Sequence, residues 1–406
     1  MATYISGLCL PTVMLSTGVP YNVTTLEQLT ADIAALNAIF ENTCVTAPVG
    51  FELTWDDIAN TPFATHTDLN SFINGNGGAA NYTSVEVVGN VQTFYGGTAV
   101  NLGDNFMETN PNIISIRDDA FQVVAQGNAG QSTCAILETI ALPALITQLG
   151  NCQNGNPALT SLNLQAMTAQ GKSCQSSNDT LLSISLPSLT TQTDNNQSYN
   201  ASLLSISMPS LTTQKYSNQS NNAVLTTISL PALTTQTTNN QKSNAALTTI
   251  SLPNLATQVN GNQSTNIAII TLSLPALITQ EQGNQNNNSL LNSLSMPLLA
   301  TQINDNQSNN AVLATLSLPS LLTQTEENQS DNPALLNFTA NALTSQTDNN
   351  QINNPLLTTI TTPALTSIGT GNYVGCNYAI MTINVDASLF GAPDILLAAA
   401  GGATII

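Results

Sequence analysis

Positive charge is almost absent from this chain. Its 406 residues hold 4 Lys plus Arg against 23 Asp plus Glu, for a formal net charge of -19. A nucleic-acid interface needs a basic face that displaces counterions from phosphates, and Arg117, Lys172, Lys215 and Lys242 are too few to build one. The same shortage argues against docking on anionic lipid headgroups. Histidine is reduced to His66, so no Ser/His/Asp set is available for acyl transfer. Aromatic residues make up 4% of the chain, too thin a supply for a platform of stacking rings. No apolar run reaches the roughly 18 residues of a membrane-spanning helix, so no membrane insertion is expected. No metal spacing of the Cys-x-x-Cys kind occurs, and Asp-rich calcium loops are missing. Neither a cofactor nor a metal is expected.

What the chain does have is amides, hydroxyls and aliphatics. Charged residues are 7% of the sequence and apolar ones 42%, so Asn, Gln, Ser and Thr must wet the surface. That composition suits proteins exposed outside the cell. The start, Met1 to Cys9, shows neither a basic region nor an unbroken apolar one of the secretory kind. A virion component, assembled in a host and released by lysis, reconciles the two observations. Export by a non-classical route is the competing explanation.

From Leu137 to Leu365 one phrase recurs. Prolines fall at 187, 209, 231, 253, 275, 297 and 319, always 22 residues apart. Pro143 and Pro363 keep the phase, with Gln165 and Asn341 in the two vacant slots. A fixed period in this range marks a solenoid in which each repeat is one rung. Six before the proline stand Leu203, Leu225, Leu247 and Ile269; three before it, Ile206, Ile228, Ile250 and Leu272; two after it, always Leu from Leu189 to Leu365. Such columns make a continuous core when parallel strands stack about 4.8 Å apart. The expected fold is all-β: a 22-residue-repeat parallel β-solenoid of about 12 rungs over residues 81–389, behind a small α+β domain at 1–80 and before an apolar cap at 390–406.

Polar columns are stricter still. Gln recurs at 192, 214, 236, 258 and 280, and a second Gln series runs through 197, 219, 241 and 263. Asn recurs at 200, 222, 244 and 266. Solvent gives no reason to keep one amide rung after rung, whereas an inward amide can bond the copies above and below it. Gln192, Gln214, Gln236, Gln258, Gln280, Asn200, Asn222, Asn244 and Asn266 are therefore read as structural ladders. Four of the six cysteines replace ladder asparagines: Cys134 and Cys376 in one column, Cys152 and Cys174 in another. Adjacent rungs would bring Cys152 and Cys174 within disulfide reach. Reduced thiols acting as small buried residues are the favoured reading.

The phrase Leu-x-x-Ile-x-Leu-Pro-x-Leu resembles leucine-rich repeats, especially the bacterial surface type and receptor L-domain rungs. The resemblance implies a parallel strand at Thr249-Ile250-Ser251-Leu252. It departs at Leu255, where an asparagine is expected, so a flatter three-sided β-helix is the alternative.

Ahead of the repeat, Thr24 and Glu27 make a capping-box pair. Leu26, Leu29, Ile33, Leu36 and Phe40 then step at coiled-coil spacing, read either as a short helix on its own domain or as the seam of a homotrimer. The segment containing Trp55, Asp57, Ile58, Pro62 and Phe63 resembles a Trp-x-Asp-Ile-x-x-x-Pro-x-Phe stretch of bacteriophage tail-fibre and other virion proteins. That resemblance implies attachment through residues 1–80 to other virion proteins. Candidate acids, Asp118-Asp119 and Glu326-Glu327, are neighbours on the chain. Strand neighbours face opposite ways, so neither pair converges as a polysaccharide-cleaving pair must.

The outer strand face carries two hydroxyl columns, including Ser205 and Ser207, Thr227 and Ser229, Thr249 and Ser251, Thr271 and Ser273. A solvated face is the plain reading; contact with a glycan is the functional one, and ice binding a more distant third. The expectation is a structural, non-enzymatic phage fibre or adhesin subunit on a virion surface, serving host attachment. A secreted bacterial leucine-rich cell-surface adhesin and a polysaccharide-degrading tailspike are the alternatives.

Overall fold

The computed structural model describes residues 123–406 continuously, together with Glu52–Thr54, Ser84–Glu86, Val100–Leu102, Asp104, and residues 108–109 and 114–117. The helix expected near residues 26–40, the segment Trp55 to Phe63, His66 and Asp118-Asp119 lie outside the described residues. The chain forms two compact units, Met1–Leu189 and Thr190–Ile406. Both are parallel β-solenoids of short strands.

In the first unit one sheet holds Glu52–Thr54, Ser84–Glu86, Ser115–Arg117, Thr139–Ala141 and Ser161–Asn163. Its turns shorten toward the regular repeat: Glu52 pairs with Ser84, Ser84 with Ser115, Ser115 with Thr139, and Thr139 with Ser161. Parallel stacking thus reaches back to Glu52, inside the stretch that the sequence assigned to a separate N-terminal domain. Strand pairing tolerates turns of unequal length. A second sheet in this unit joins Val100–Leu102, Val123–Asn128, Thr147–Gly150 and Ala169–Lys172.

The second unit shows why 22 residues make one turn. Its sequence supplies three corners per rung. At the first, the Leu233 N–H donates to the Leu230 carbonyl at 3.1 Å, closing a β-turn with Pro231 at its second position, where proline's fixed φ is already correct. At the second, the Leu247 N–H donates to the Asn244 carbonyl at 3.1 Å. The third corner alternates residues of left-handed backbone, Asn195, Gln197 and Tyr199 in one rung (φ 53, 51 and 60) and Asn239, Gln241 and Ser243 two rungs on (φ 56, 49 and 59). Glycine takes the first of these places at Gly261, Gly283 and Gly371, where no Cβ opposes a positive φ.

Between corners run two strands per rung. Thr249–Ser251 exposes Thr249 and Ser251 and buries Ile250; Thr257–Gln258 buries Gln258. Leu247, Leu252 and Leu255 are fully buried, and the same columns are buried in every regular rung. Four apolar side chains per rung contribute roughly 6–12 kcal/mol. Ordering the rung's backbone costs about 1–2 kcal/mol per residue, so a lone rung cannot fold and must rely on its neighbours.

The end of the chain is more than an apolar lid. Ile360 pairs with Ile383, a shift of one residue from the repeat, and Ile383 pairs in turn with Ile405. Strand Thr404–Ile405 therefore continues the sheet. Between these strands lies helix α1, Pro393–Ala400, with Pro at its start and Asp394 in its first turn.

Candidate functional site

Three features could carry function: the hydroxyl face, the buried amides and the thiols. On the face, Ser205, Ser207, Thr227, Ser229, Thr249, Ser251, Thr271 and Ser273 are all exposed. Ser205 pairs with Thr227 and Thr227 with Thr249, so the columns are in register. Thr249–Ser251 ends one sheet and Thr271–Ser273 begins another, with no ladder between them. The second array runs through Ser293–Ser295 and Thr315–Ser317, where every burial pattern repeats exposed–buried–exposed.

Flanking this face are residues that the two-column reading left out. Thr248 Oγ1 donates to the Thr226 carbonyl at 3.2 Å, and Thr212 Oγ1 to the Thr190 carbonyl at 3.1 Å. These hydroxyls are spent on the scaffold. Their columns also hold exposed aliphatics: Leu204, Ile270 and Leu336 before the strand, Ile278 and Leu322 after the proline. The signal lay in the alternation of Thr with Ile and Leu five before and three after the proline. A Thr that hides its hydroxyl presents a methyl, so the margin of the face is apolar. Tyr199 and Tyr216 are exposed as well, in the segments around the left-handed corner.

Inside, the amides form three kinds of chain. Gln192 Nε2 donates to Gln214 Oε1, Gln214 to Gln236, Gln236 to Gln258 and Gln258 to Gln280, each at 3.1 Å. Beyond that point the column changes partner: Gln302 Nε2 donates within its own rung to Gln307 Oε1 at 2.5 Å, as Gln148 does to Gln153 at 2.8 Å in the first unit. The second Gln column points the other way, Gln241 donating back to Gln219 and Gln263 back to Gln241, both at 3.0 Å. Asn200, Asn222, Asn244 and Asn266 line the Asn corner. Asn222, Asn244 and Asn266 each take an N–H from the rung before; Asn244 Oδ1 accepts from the Asn222 N–H at 2.9 Å, while its Nδ2 donates to the Gln219 carbonyl at 2.8 Å.

A further Asn column proves the most connected. Asn240 Oδ1 accepts both the Asn218 N–H, at 3.1 Å, and Asn218 Nδ2, at 3.0 Å. Its own N–H and Nδ2 donate to Asn262 Oδ1, and Nδ2 also reaches the Lys215 carbonyl at 2.6 Å. The column ends on Asp394. Its carboxylate accepts the Gly371 N–H at 3.2 Å, the Asn372 N–H at 2.8 Å and Asn372 Nδ2 at 3.1 Å. Asp394 stands one period after Asn372, and nothing else in its segment keeps the phase.

Cysteines do the work of ladder amides. Cys376 Sγ donates to the Gln351 carbonyl at 3.1 Å, the bond that Asn354 Nδ2 makes to Gln329 at 2.8 Å one rung earlier. Cys152 Sγ donates likewise to the Gly127 carbonyl at 3.0 Å. Burial pushes the Cys376 thiol up to about 11. All four described cysteines are thiols.

Acids gather near one corner of the second unit. Half-buried Asp305 is held above the ordinary carboxylate range, first by lost hydration and then by Glu327 and Asp331; Ser308 offsets part of this. Glu326 and Glu327 are exposed. Among the described residues no cluster of His, Cys, Asp or Glu could hold a metal ion, and no helix is long and apolar enough to cross a membrane.

No protein-family model matches the chain, and no characterised protein matches it in sequence. Solved structures do. A leucine-rich repeat protein from Bacteroides ovatus is 13% identical, with a TM-score of 0.40 over 76% of this chain and 87% of that one. A leucine rich cell surface protein from Faecalibacterium prausnitzii is 14% identical, with a TM-score of 0.30 over 67% and 83%. The pneumococcal vaccine antigen PcpA is 13% identical, with a TM-score of 0.35 over 74% and 84%. The likeness is one of repeat architecture, a leucine-rich-repeat-like parallel solenoid, and reaches neither ligand nor location.

Proposed function

We propose that this chain is a non-enzymatic adhesive scaffold, displayed at a cell surface or outside the cell, whose uncharged hydroxyl face meets neutral carbohydrate. The observation carrying this reading is the in-register array Ser205–Ser207, Thr227–Ser229 and Thr249–Ser251, exposed above a buried aliphatic column and bordered by threonine methyls, Leu204 and Ile270. Sugars offer the matching chemistry, with hydroxyls to exchange hydrogen bonds and C–H faces to cover the apolar margin. A face without charge attracts by contact alone, so the binding should be weak per site and depend on repetition.

Immobilised full-length protein on a panel of neutral and acidic glycans tests this. Retention of neutral polysaccharide that is lost in Thr227→Lys and Thr249→Lys, with melting unchanged, supports the reading. Equal retention by those variants, or no retention of any glycan, ends it.

A second reading rests on the segment Trp55 to Phe63, with its resemblance to virion attachment segments. In it, residues 1–80 anchor the chain, as a homotrimer, to other virion proteins. Immunolabelling of the native source in the electron microscope separates the two. Label on cell envelopes favours the surface adhesin; label on virus particles favours the fibre.

A further inference from the structure

Cys152 and Cys174 share the amide column of Asn218 and Asn240, one period apart. Of the four described cysteines they are the pair that shares one column on neighbouring rungs. Cys134 sits below Asn156, whose Oδ1 accepts its N–H at 2.8 Å, and Cys376 follows Asn354 in that same column at its far end.

The two rungs are aligned through the corner. Gln148 pairs with Gln170 and Gly150 with Lys172. The Asn151 N–H donates to the Lys172 carbonyl at 2.7 Å, and the Gln175 N–H to the Cys152 carbonyl at 3.0 Å. The register therefore does not slip on either side of the cysteines. In-register parallel strands stand about 4.8 Å apart, inside the roughly 4.4–6.8 Å span of Cα atoms that a disulfide bridges.

Both side chains are fully buried and face the same interior. Cys152 Sγ lies on the Gly127 carbonyl at 3.0 Å and the Gly150 carbonyl at 3.4 Å; Cys174 Sγ lies on the Lys172 carbonyl at 3.6 Å. A hydrogen bond from Cys174 holds the Cys152 thiol below its ordinary range, while burial pushes Cys174 well above it. The two thiols interact across the rungs, with Cys152 the better nucleophile of the two.

We propose that Cys152 and Cys174 form an oxidative modification site, an intrachain disulfide that staples two successive rungs when the chain meets a low-molecular-weight disulfide such as glutathione disulfide. Cys152 thiolate attacks one sulfur of the oxidant and expels glutathione thiolate. Cys174 then gives up its proton and attacks the Cys152 sulfur of the mixed disulfide, expelling a second glutathione. The protein loses two electrons and two protons, and the oxidant becomes two thiols. Burial confines the exchange to moments when the corner is open, which favours oxidation as the rungs assemble. The bond closes a loop of one repeat, and it persists only in an oxidising compartment. The inference does not depend on the carbohydrate reading.

The test is to refold full-length protein in glutathione disulfide, block remaining thiols by alkylation and map linked peptides by mass spectrometry. The expected result is one dominant link between Cys152 and Cys174. The linked protein should melt several degrees above its reduced form, because the unfolded chain loses freedom. Cys174→Ser should abolish both the link and the redox-dependent shift. Absence of that link, or a linked form melting no higher than the reduced one, overturns the proposal. The mass readout on the unmodified sequence stands even where the variant folds poorly.

Discussion

Replacing Asn240 with leucine tests whether the amide column holds the second unit together. The side chain of Asn240 makes four interactions: its Oδ1 accepts from the Asn218 N–H and Nδ2, and its Nδ2 donates to the Lys215 carbonyl and Asn262 Oδ1. Three partners survive its loss. Asn262 Oδ1 keeps the Asn240 N–H at 3.0 Å, Asn218 Nδ2 keeps the Thr193 carbonyl at 2.6 Å, and the Lys215 carbonyl keeps the Thr238 N–H at 3.2 Å. One does not: the Asn218 N–H turns toward leucine methyls. An orphaned buried group costs about 1–3 kcal/mol. Leucine gains by apolar burial, but its tetrahedral branch does not fit a slot shaped for a planar amide stacked between Asn218 and Asn262. Overpacking of that kind costs about 1–3 kcal/mol and cancels most of the gain.

For a unit of this size about 2 kcal/mol lowers the midpoint by about 4–8 °C, and the upper end of the range by considerably more. Because repeat arrays open locally, the assay pairs thermal melting with hydrogen exchange on peptides spanning residues 212–262. Protection should fall first around Asn218. Thr227→Val, on the exposed face, is the control and should stay within about 0.5 kcal/mol of the parent. An Asn240→Leu protein that melts within a degree of the parent and keeps its protection would show that the column contributes no net stability.

Asp394→Leu should fray the last rungs, raising hydrogen exchange at residues 370–376, whereas Asp394→Asn keeps an acceptor and should be milder; equal exchange in the two variants would refute the terminating role. Asp305→Asn should raise the melting point at neutral pH. Its folded carboxyl is shifted upward, so the penalty is fully present above the folded pKa and disappears as pH falls through that value toward the ordinary carboxylate range; a constant advantage across an acid titration would contradict this. Deleting residues 231–252, one full period, should leave a cooperative melt and unchanged strand content by circular dichroism, and aggregation would mean that the rungs are not interchangeable.

The rung was legible because its causes are periodic. Leucine at a fixed distance from proline predicts both the buried column and the β-turn, and Ile250 between Thr249 and Ser251 predicts a strand with one face in water. The left-handed corner was not legible in the same way. Gly261, Gly283 and Gly371 hint at it, yet the same corner holds Gln219, Gln241 and Gln263, residues that seldom take a positive φ. Local preference is overridden there because each of those glutamines is tied to the rung behind it by its amide. The break in strand pairing between Ser251 and Thr271 has no counterpart in the sequence, where Thr-x-Ser continues without change. Asp394 was hidden for a different reason. Its segment reads as helix and apolar cap, and only counting one period from Asn372 reveals its place.

The direction of the ladders ties these details together. In the Asn218 column every amide donates toward the next rung, as does the Gln192 to Gln258 series, while Gln219 to Gln263 donate backward. Aligned amides sum to a dipole, and neighbouring columns of opposite sense reduce it, which lets a core dense in polar groups carry little net field. What remains is local. The Asn column ends with N–H groups of Gly371 and Asn372 pointing along the solenoid, and a carboxylate at the start of α1 receives them. An acid that accepts and never donates suits only that terminal place; anywhere earlier it would face the next rung's Oδ1 and a backbone carbonyl. Asparagine fills every described earlier position of that column in the second unit for the complementary reason, since it alone accepts from one side and donates to the other at that length.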